Sequence, residues 1–118
     1  MDDLTKVVIL HKYHESMTEN EILKTVGELT QPEFSARMMV KVTGLPMSKV
    51  LPAMGKTART GGRLNPDTLP DIVTLREHGL DPDLVRSIVR RGTSQLLLAR
   101  LLGKSQPTIW RTINGTDN

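Results

Sequence analysis

Towards the end of the chain, Gln106, Thr108, Trp110, Arg111 and Thr112 follow one another closely. Glutamine can make paired hydrogen bonds to adenine and arginine to guanine, while threonine can meet a thymine methyl or a phosphate. These are the side chains that reading base edges in a DNA major groove requires. Trp110 can lie against a sugar or phosphate, or instead bury against a preceding helix or a partner chain. Just upstream, Ser94, Gln95, Lys104 and Ser105 are suited to backbone phosphates, which position a protein without carrying sequence information. A second group, Lys49, Lys56, Arg59 and Arg63, lies in a stretch (35–63) with six Lys/Arg and no acid. Arg59 and Arg63 flank Gly61-Gly62, a basic arm that could follow a minor groove or simply stay solvated.

Other chemistries find little support. The chain has no cysteine, which excludes disulfides and cysteine-based zinc sites. His11 and His14 are three apart and, with Glu15 and His78, could in principle ligate a metal, but nothing else supports such a site and none is expected. There is no phosphate-cradling glycine loop at the right spacing and no carboxylate pair near a histidine. The chain is therefore expected to be neither an enzyme nor dependent on a cofactor. Met1-Asp2-Asp3 is acidic where a secretory leader would be basic. The runs Val7–Leu10 and Leu96–Ala99 are too short to span a bilayer. A soluble, cytoplasmic protein without a membrane partner is expected.

Charge is unevenly placed. Residues 1–34 carry three Lys and seven acids, 35–63 are purely basic, 64–79 carry one Arg and three acids, and 80–118 carry six Lys/Arg and three Asp. Two basic segments separated by acidic ones suggest localised anion-binding surfaces. Aromatic residues are scarce: Trp110, Tyr13 and Phe34 are all there are. The core must use Leu, Ile, Val, Met and Ala, which favours an all-α protein of small helical domains. The Met38, Met39, Met47 and Met54 group reads as core, with a Met-rich partner surface as the other reading.

The elements that must position these side chains can be read in turn. Residues 3–16 have both strand and helix character and are read as a helix. Thr18 to Glu21 forms a capping box ahead of Ile22, Leu23, Val26 and Leu29, with Gly27 weakening the pattern. Phe34, Met38, Met39 and Val42 predict a helix over Glu33–Val42, closed by Gly44, followed by a second helix over Met47–Met54 that Pro52 is expected to distort or shorten. That pair outlines a helix-turn-helix, with 55–63 as a candidate basic wing. Asn65-Pro66-Asp67 is a turn and the candidate boundary between domains 1–66 and 67–118. Asp67 or Thr68 then caps a helix to His78, and Asp81-Pro82 opens another that runs to Gly92. No internal repeat at a fixed period is visible: the two helix-turn-helix outlines agree in shape but not in sequence.

The clearest unit spans 93–115. Thr93 or Ser94 caps a helix over Gln95–Leu102, with Leu98 and Leu102 inward and Ala99 small where two helices cross. Gly103 takes the tight turn. Ser105 or Gln106 caps the next helix, Pro107 suits its first turn, Ile109 and Ile113 dock it, and Asn114-Gly115 ends it. "SQLLLARLLGKSQPTIWRTING" resembles the helix-turn-helix of lambda-repressor/Cro-type regulators and is similar to the C-terminal helix-turn-helix of resolvase/invertase-type recombinases. The resemblance is carried by Gln95, Leu98, Ala99, Leu102, Gly103, Ser105, Ile109, Arg111 and Asn114-Gly115. It covers about twenty residues, or thirty-odd with Leu84–Gly92 as a supporting helix. Lys104 departs from it at a usually apolar turn position, and Thr112 where an aliphatic residue is common.

The resemblance implies a sequence-specific module for double-stranded DNA. The expectation that follows is a small prokaryotic or phage transcriptional repressor, compatible with a homodimer. Two other roles remain open at this point: an accessory DNA-architecture protein that uses both basic segments, and a module that binds a host protein through the acidic region 1–34.

Overall fold

A computed structural model describes residues 1–55 and 63–115. Among these the protein is all-α, with eight α-helices and no strand. No described helix is long and apolar enough to cross a membrane. The chain divides into two compact units, Met1–Gly62 and Arg63–Asn118. Lys56, Arg59 and most of the proposed wing lie outside the described residues.

The first unit opens with α1 (Asp3–Tyr13), whose N-terminus is capped by Asp2 accepting the Thr5 N–H at 3.0 Å. A single 3-10 turn, His14–Ser16, completes the segment read as a helix. Leu4, Val7 and Leu10 of α1 are buried. Next comes α2 (Glu19–Gly27) behind the capping box: Glu21 N–H donates to Thr18 Oγ1 at 3.2 Å, and Thr18 N–H to Glu21 Oε1 at 2.9 Å. These bonds favour the Glu21 carboxylate, so its pKa lies below the ordinary value, chiefly through the Thr18 backbone N–H and then the Thr18 side chain.

The third helix, α3 (Ala36–Thr43), begins three residues later than its apolar stripe suggests. Ser35 Oγ accepts the Met38 N–H at 3.2 Å and sets that start. Phe34, just outside the cap, is fully buried as the largest side chain of the core. Gly44 then turns the chain with φ +75° into α4 (Met47–Met54). Pro52 lies inside α4, and the helix stops two residues later.

Gly27 is more than a weak spot in α2. A Cβ there would stand 2.9 Å from the Ala53 carbonyl oxygen, so glycine is what lets α2 and α4 approach. Asp3 is the other long-range tie. Its nearly buried carboxylate accepts the backbone N–H groups of Thr30 at 2.8 Å and Gln31 at 2.6 Å. It thereby fastens the start of α1 to the connection leading into α3.

In the second unit a 3-10 turn, Pro66–Thr68, leads into α5 (Leu69–His78), followed by α6 (Pro82–Arg90), α7 (Gln95–Leu102) and α8 (Gln106–Asn114). Ser94, not Thr93, caps α7, accepting the Leu97 N–H at 3.2 Å. Thr93 is fully buried instead. Its hydroxyl lies 2.7 Å from that of Thr68 and accepts the Asn65 N–H at 3.0 Å, while Asn65 Nδ2 donates to the Arg91 carbonyl and Ser94 N–H to the Arg63 carbonyl, each at 3.0 Å. This polar knot pins the entry of the unit to the turn before α7. Leu64, Leu69, Ile72, Leu75, Val85, Ile88, Leu97, Leu98, Ala99, Leu101 and Ile109 form the core. Leu102, expected inward, is half-buried, because the inward stripe runs through Leu97, Leu98 and Leu101.

The likeness in shape between the two helix-turn-helix outlines extends to the whole of each unit. In each unit the first helix packs on the second and third, and the fourth packs on the second and third. The key positions correspond at one offset of 59 residues: the caps Ser35 and Ser94, the left-handed turns Gly44 and Gly103, and the buried pairs Val26/Val85, Leu29/Ile88, Phe34/Thr93, Met39/Leu98, Val42/Leu101 and Val50/Ile109. The first helices match as Leu4/Leu69, Val7/Ile72 and Leu10/Leu75, six positions out of that register, because the first unit has two more residues between its first two helices and α2 starts four residues further ahead of Val26 than α6 does of Val85. Even the buried polar residues at their starts agree, Asp3 and Thr68, each tying down the connection before the third helix. One four-helix plan thus occurs twice.

Candidate nucleic-acid interface

The pair α7–α8 forms a compact helix-turn-helix. Gly103 adopts φ +67°, a conformation that would strain any residue with a Cβ, although a Cβ there would meet nothing within 4 Å. The glycine is therefore there for its backbone angle. Lys104 N–H donates to the Ala99 carbonyl at 2.9 Å and closes the end of α7. Lys104 itself is exposed in the turn.

The second helix starts at Ser105, whose Oγ accepts the Thr108 N–H at 3.2 Å. Pro107 sits in the first turn, where its missing N–H leaves no bond unmade. Ile109 is fully buried and anchors α8, while Ile113 is half-buried. At the far end, Arg86 Nε donates to the Ile113 carbonyl at 2.9 Å, and its guanidinium also reaches Asp83. Arg86 thus clamps the C-terminus of α8, where a cation also suits the helix dipole. It had no signal in the sequence beyond its place in an amphipathic helix.

With Ile109 docked, Gln106, Pro107, Trp110, Arg111 and Asn114 are exposed on one face of α8. Trp110 keeps 51% of its surface in solvent, so burial against the preceding helix is not its role within this chain. Arg111 Nε lies 3.4 Å from the Pro107 carbonyl. The two threonines read as base contacts are less free. Thr108 is half-buried and its hydroxyl lies 2.7 Å from that of Ser105; Thr112 is half-buried and donates to the Thr108 carbonyl at 2.9 Å.

Three of the proposed phosphate contacts, Arg63, Ser94 and Gln95, gather at the start of α7. Arg63, Ser94, Gln95 and Gln106 line one open cleft of roughly 380 Å³. Arg63 is held there by its own backbone bond to Ser94. The N–H groups of Gln95 and Leu96 in the first turn of α7 have no acceptor within the helix. A neighbouring, more apolar cleft of roughly 330 Å³ is lined by Gln95, Gln106, Pro107 and Trp110. The structure thus brings together cationic, amide and apolar groups on one side of the helix pair. Arg100, one turn after Leu96 on α7 and exposed, extends this surface. The sequence reading missed it, though its spacing of four from the exposed Leu96 was a usable signal.

The remaining candidates are placed differently. Lys49 is exposed on α4 and ion-paired with Glu19. His14 Nδ1 faces the Leu10 carbonyl at 2.9 Å, and among the described residues no three acidic or histidine side chains converge as a metal site. No protein-family model, curated protein or solved structure matches the chain. The functional reading therefore rests on the residues themselves.

Proposed function

We propose that the protein binds double-stranded DNA in a sequence-specific way and acts as a small cytoplasmic transcriptional regulator, repressing by occluding its site. The observation that carries this reading is the outward face of α8. Gln106, Trp110 and Arg111 project from a helix docked by Ile109 and set at its angle by the left-handed Gly103 turn. In helix-turn-helix recognition the second helix enters the major groove N-terminus first while the first helix crosses the backbone. Gln106 would then read adenine and Arg111 guanine, and Pro107 and Trp110 supply apolar contact for a thymine methyl. Phosphates would be met by Arg63, Ser94, Gln95, Arg100, Lys104 and Ser105 around the start of α7 and the turn. The hydroxyls of Thr108 and Thr112 serve mainly to hold the helix.

Footprinting at several salt concentrations tests this. Arg111→Ala should weaken discrimination at one base pair by about 1–3 kcal/mol. Arg63→Ala should weaken binding evenly across sequences and flatten the salt dependence by about one phosphate contact. Wild-type protein that protects no duplex, or variants indistinguishable from it, would refute the proposal.

A further inference from the structure

We infer that the first unit is a second DNA-docking head, one that grips the phosphate backbone through Arg37 and Lys41 of α3 and does not read bases. This rests on the DNA-binding reading of the second unit. Because the two units repeat one plan, α3 occupies the place of α7, the helix that crosses the backbone, and α4 the place of α8.

Charge singles out the same face. Every acid of the first unit precedes Ser35, whereas α3 and α4 contain Arg37, Lys41 and Lys49 and no acid. Lys49 is occupied by Glu19. Arg37 and Lys41 are exposed, lie four apart on one side of α3, and have no ion-pair partner among the described residues. They stand at the positions of Leu96 and Arg100, so Lys41 and Arg100 put a cation at the same place on both backbone-crossing helices. A phosphate chain presented to this unit meets on α3 two cations with no acid beside them, whereas the acids ahead of Ser35 are interleaved with Lys6, Lys12 and Lys24, and Asp3 is buried.

The groove position has been left without readers. Met47 stands where α8 has Gln106, Leu51 where it has Trp110, and Pro52 where it has Arg111. Leucine and proline side chains have no hydrogen-bonding atom, and the methionine thioether is at best a weak acceptor. Such a head adds affinity that is sensitive to salt and indifferent to sequence.

The experiment uses the full chain, a duplex enriched from a randomised pool by the wild-type protein, and fluorescence anisotropy over a range of NaCl concentrations. Circular dichroism first checks that Arg37→Ala/Lys41→Ala is folded; both side chains are exposed, so it should be. The expected result is weaker binding to every duplex, a slope of log affinity against log salt lowered by about 1.8, and an unchanged consensus on re-selection. An unchanged slope and affinity would overturn the inference while leaving the second unit's role intact. A changed consensus would overturn it too, by showing that the first unit reads bases. If the wild-type protein enriches no duplex at all, the DNA-binding reading itself has failed, and this inference falls with it.

Discussion

In the second unit, the helix pair α7–α8 turns glutamine, tryptophan and arginine outward; in the first, the matching pair α3–α4 turns out lysine, arginine and apolar side chains. The scaffolds beneath agree closely. Both pairs start from a serine cap, turn on a left-handed glycine and dock the second helix through one fully buried β-branched residue, Val50 or Ile109. The difference lies in the outward positions of the second helix, where packing imposes nothing and function is free to act. A fold can thus be kept by a few buried positions and caps while its surface is assigned a different task.

Substitutions at matched sites would break or sharpen this comparison. The largest effect is expected from Ile109→Ala, a loss of about 2–5 kcal/mol in urea denaturation, with Val50→Ala costing less because fewer atoms are removed. If Ile109→Ala left α8 stable, the docking role given to that side chain would be wrong. Gly27→Ala should cost about 1–3 kcal/mol, since its Cβ would press on the Ala53 carbonyl. The second unit has Arg86 at the matching position, so that close approach belongs to the first unit alone. A neutral Gly27→Ala would mean that α2 and α4 separate freely.

Thr93→Val should cost about 1–3 kcal/mol by leaving the Asn65 N–H without its acceptor and the Thr68 hydroxyl without one of its partners. An unaltered melting temperature would show that the knot is incidental. The smallest effect concerns Glu21. Its folded pKa is depressed, so its stabilising contribution is present above the unfolded carboxylate pKa and is lost as pH falls through the folded value. Glu21→Gln should remove that small acid-side dependence, measured as melting temperature against pH.

What was legible in the sequence was local. The Thr18–Glu21 box, the Gly103 turn, Pro107 in a first turn and the inward Ile109 all follow from residue types a few positions apart. Features that act across the chain were not. Asp3 looks like an acidic first-turn residue, yet it bonds to residues 27 and 28 positions away. Gly27 looks like a flaw in α2 until α4 is placed against it. Thr93 looked like a cap and proved to be a buried hub. The likeness of the two units beyond their helix-turn-helix outlines is hidden in the sequence because the matched core positions mostly hold different residues, and a six-residue shift after the first helix breaks the period. At the candidate interface, the exposed face of α8 was readable from helical spacing, whereas Arg63 joined it only through the chain path at Ser94, and Thr108 and Thr112 were drawn inward by bonds that spacing does not reveal.

The most direct test of the central claim, that the second unit reads DNA and the first does not, is enrichment from a randomised duplex pool by the wild-type chain and by Gln106→Ala/Arg111→Ala. The expected result is a defined consensus for the wild type, and for the variant only salt-sensitive binding with no consensus. The same consensus from both proteins would contradict it.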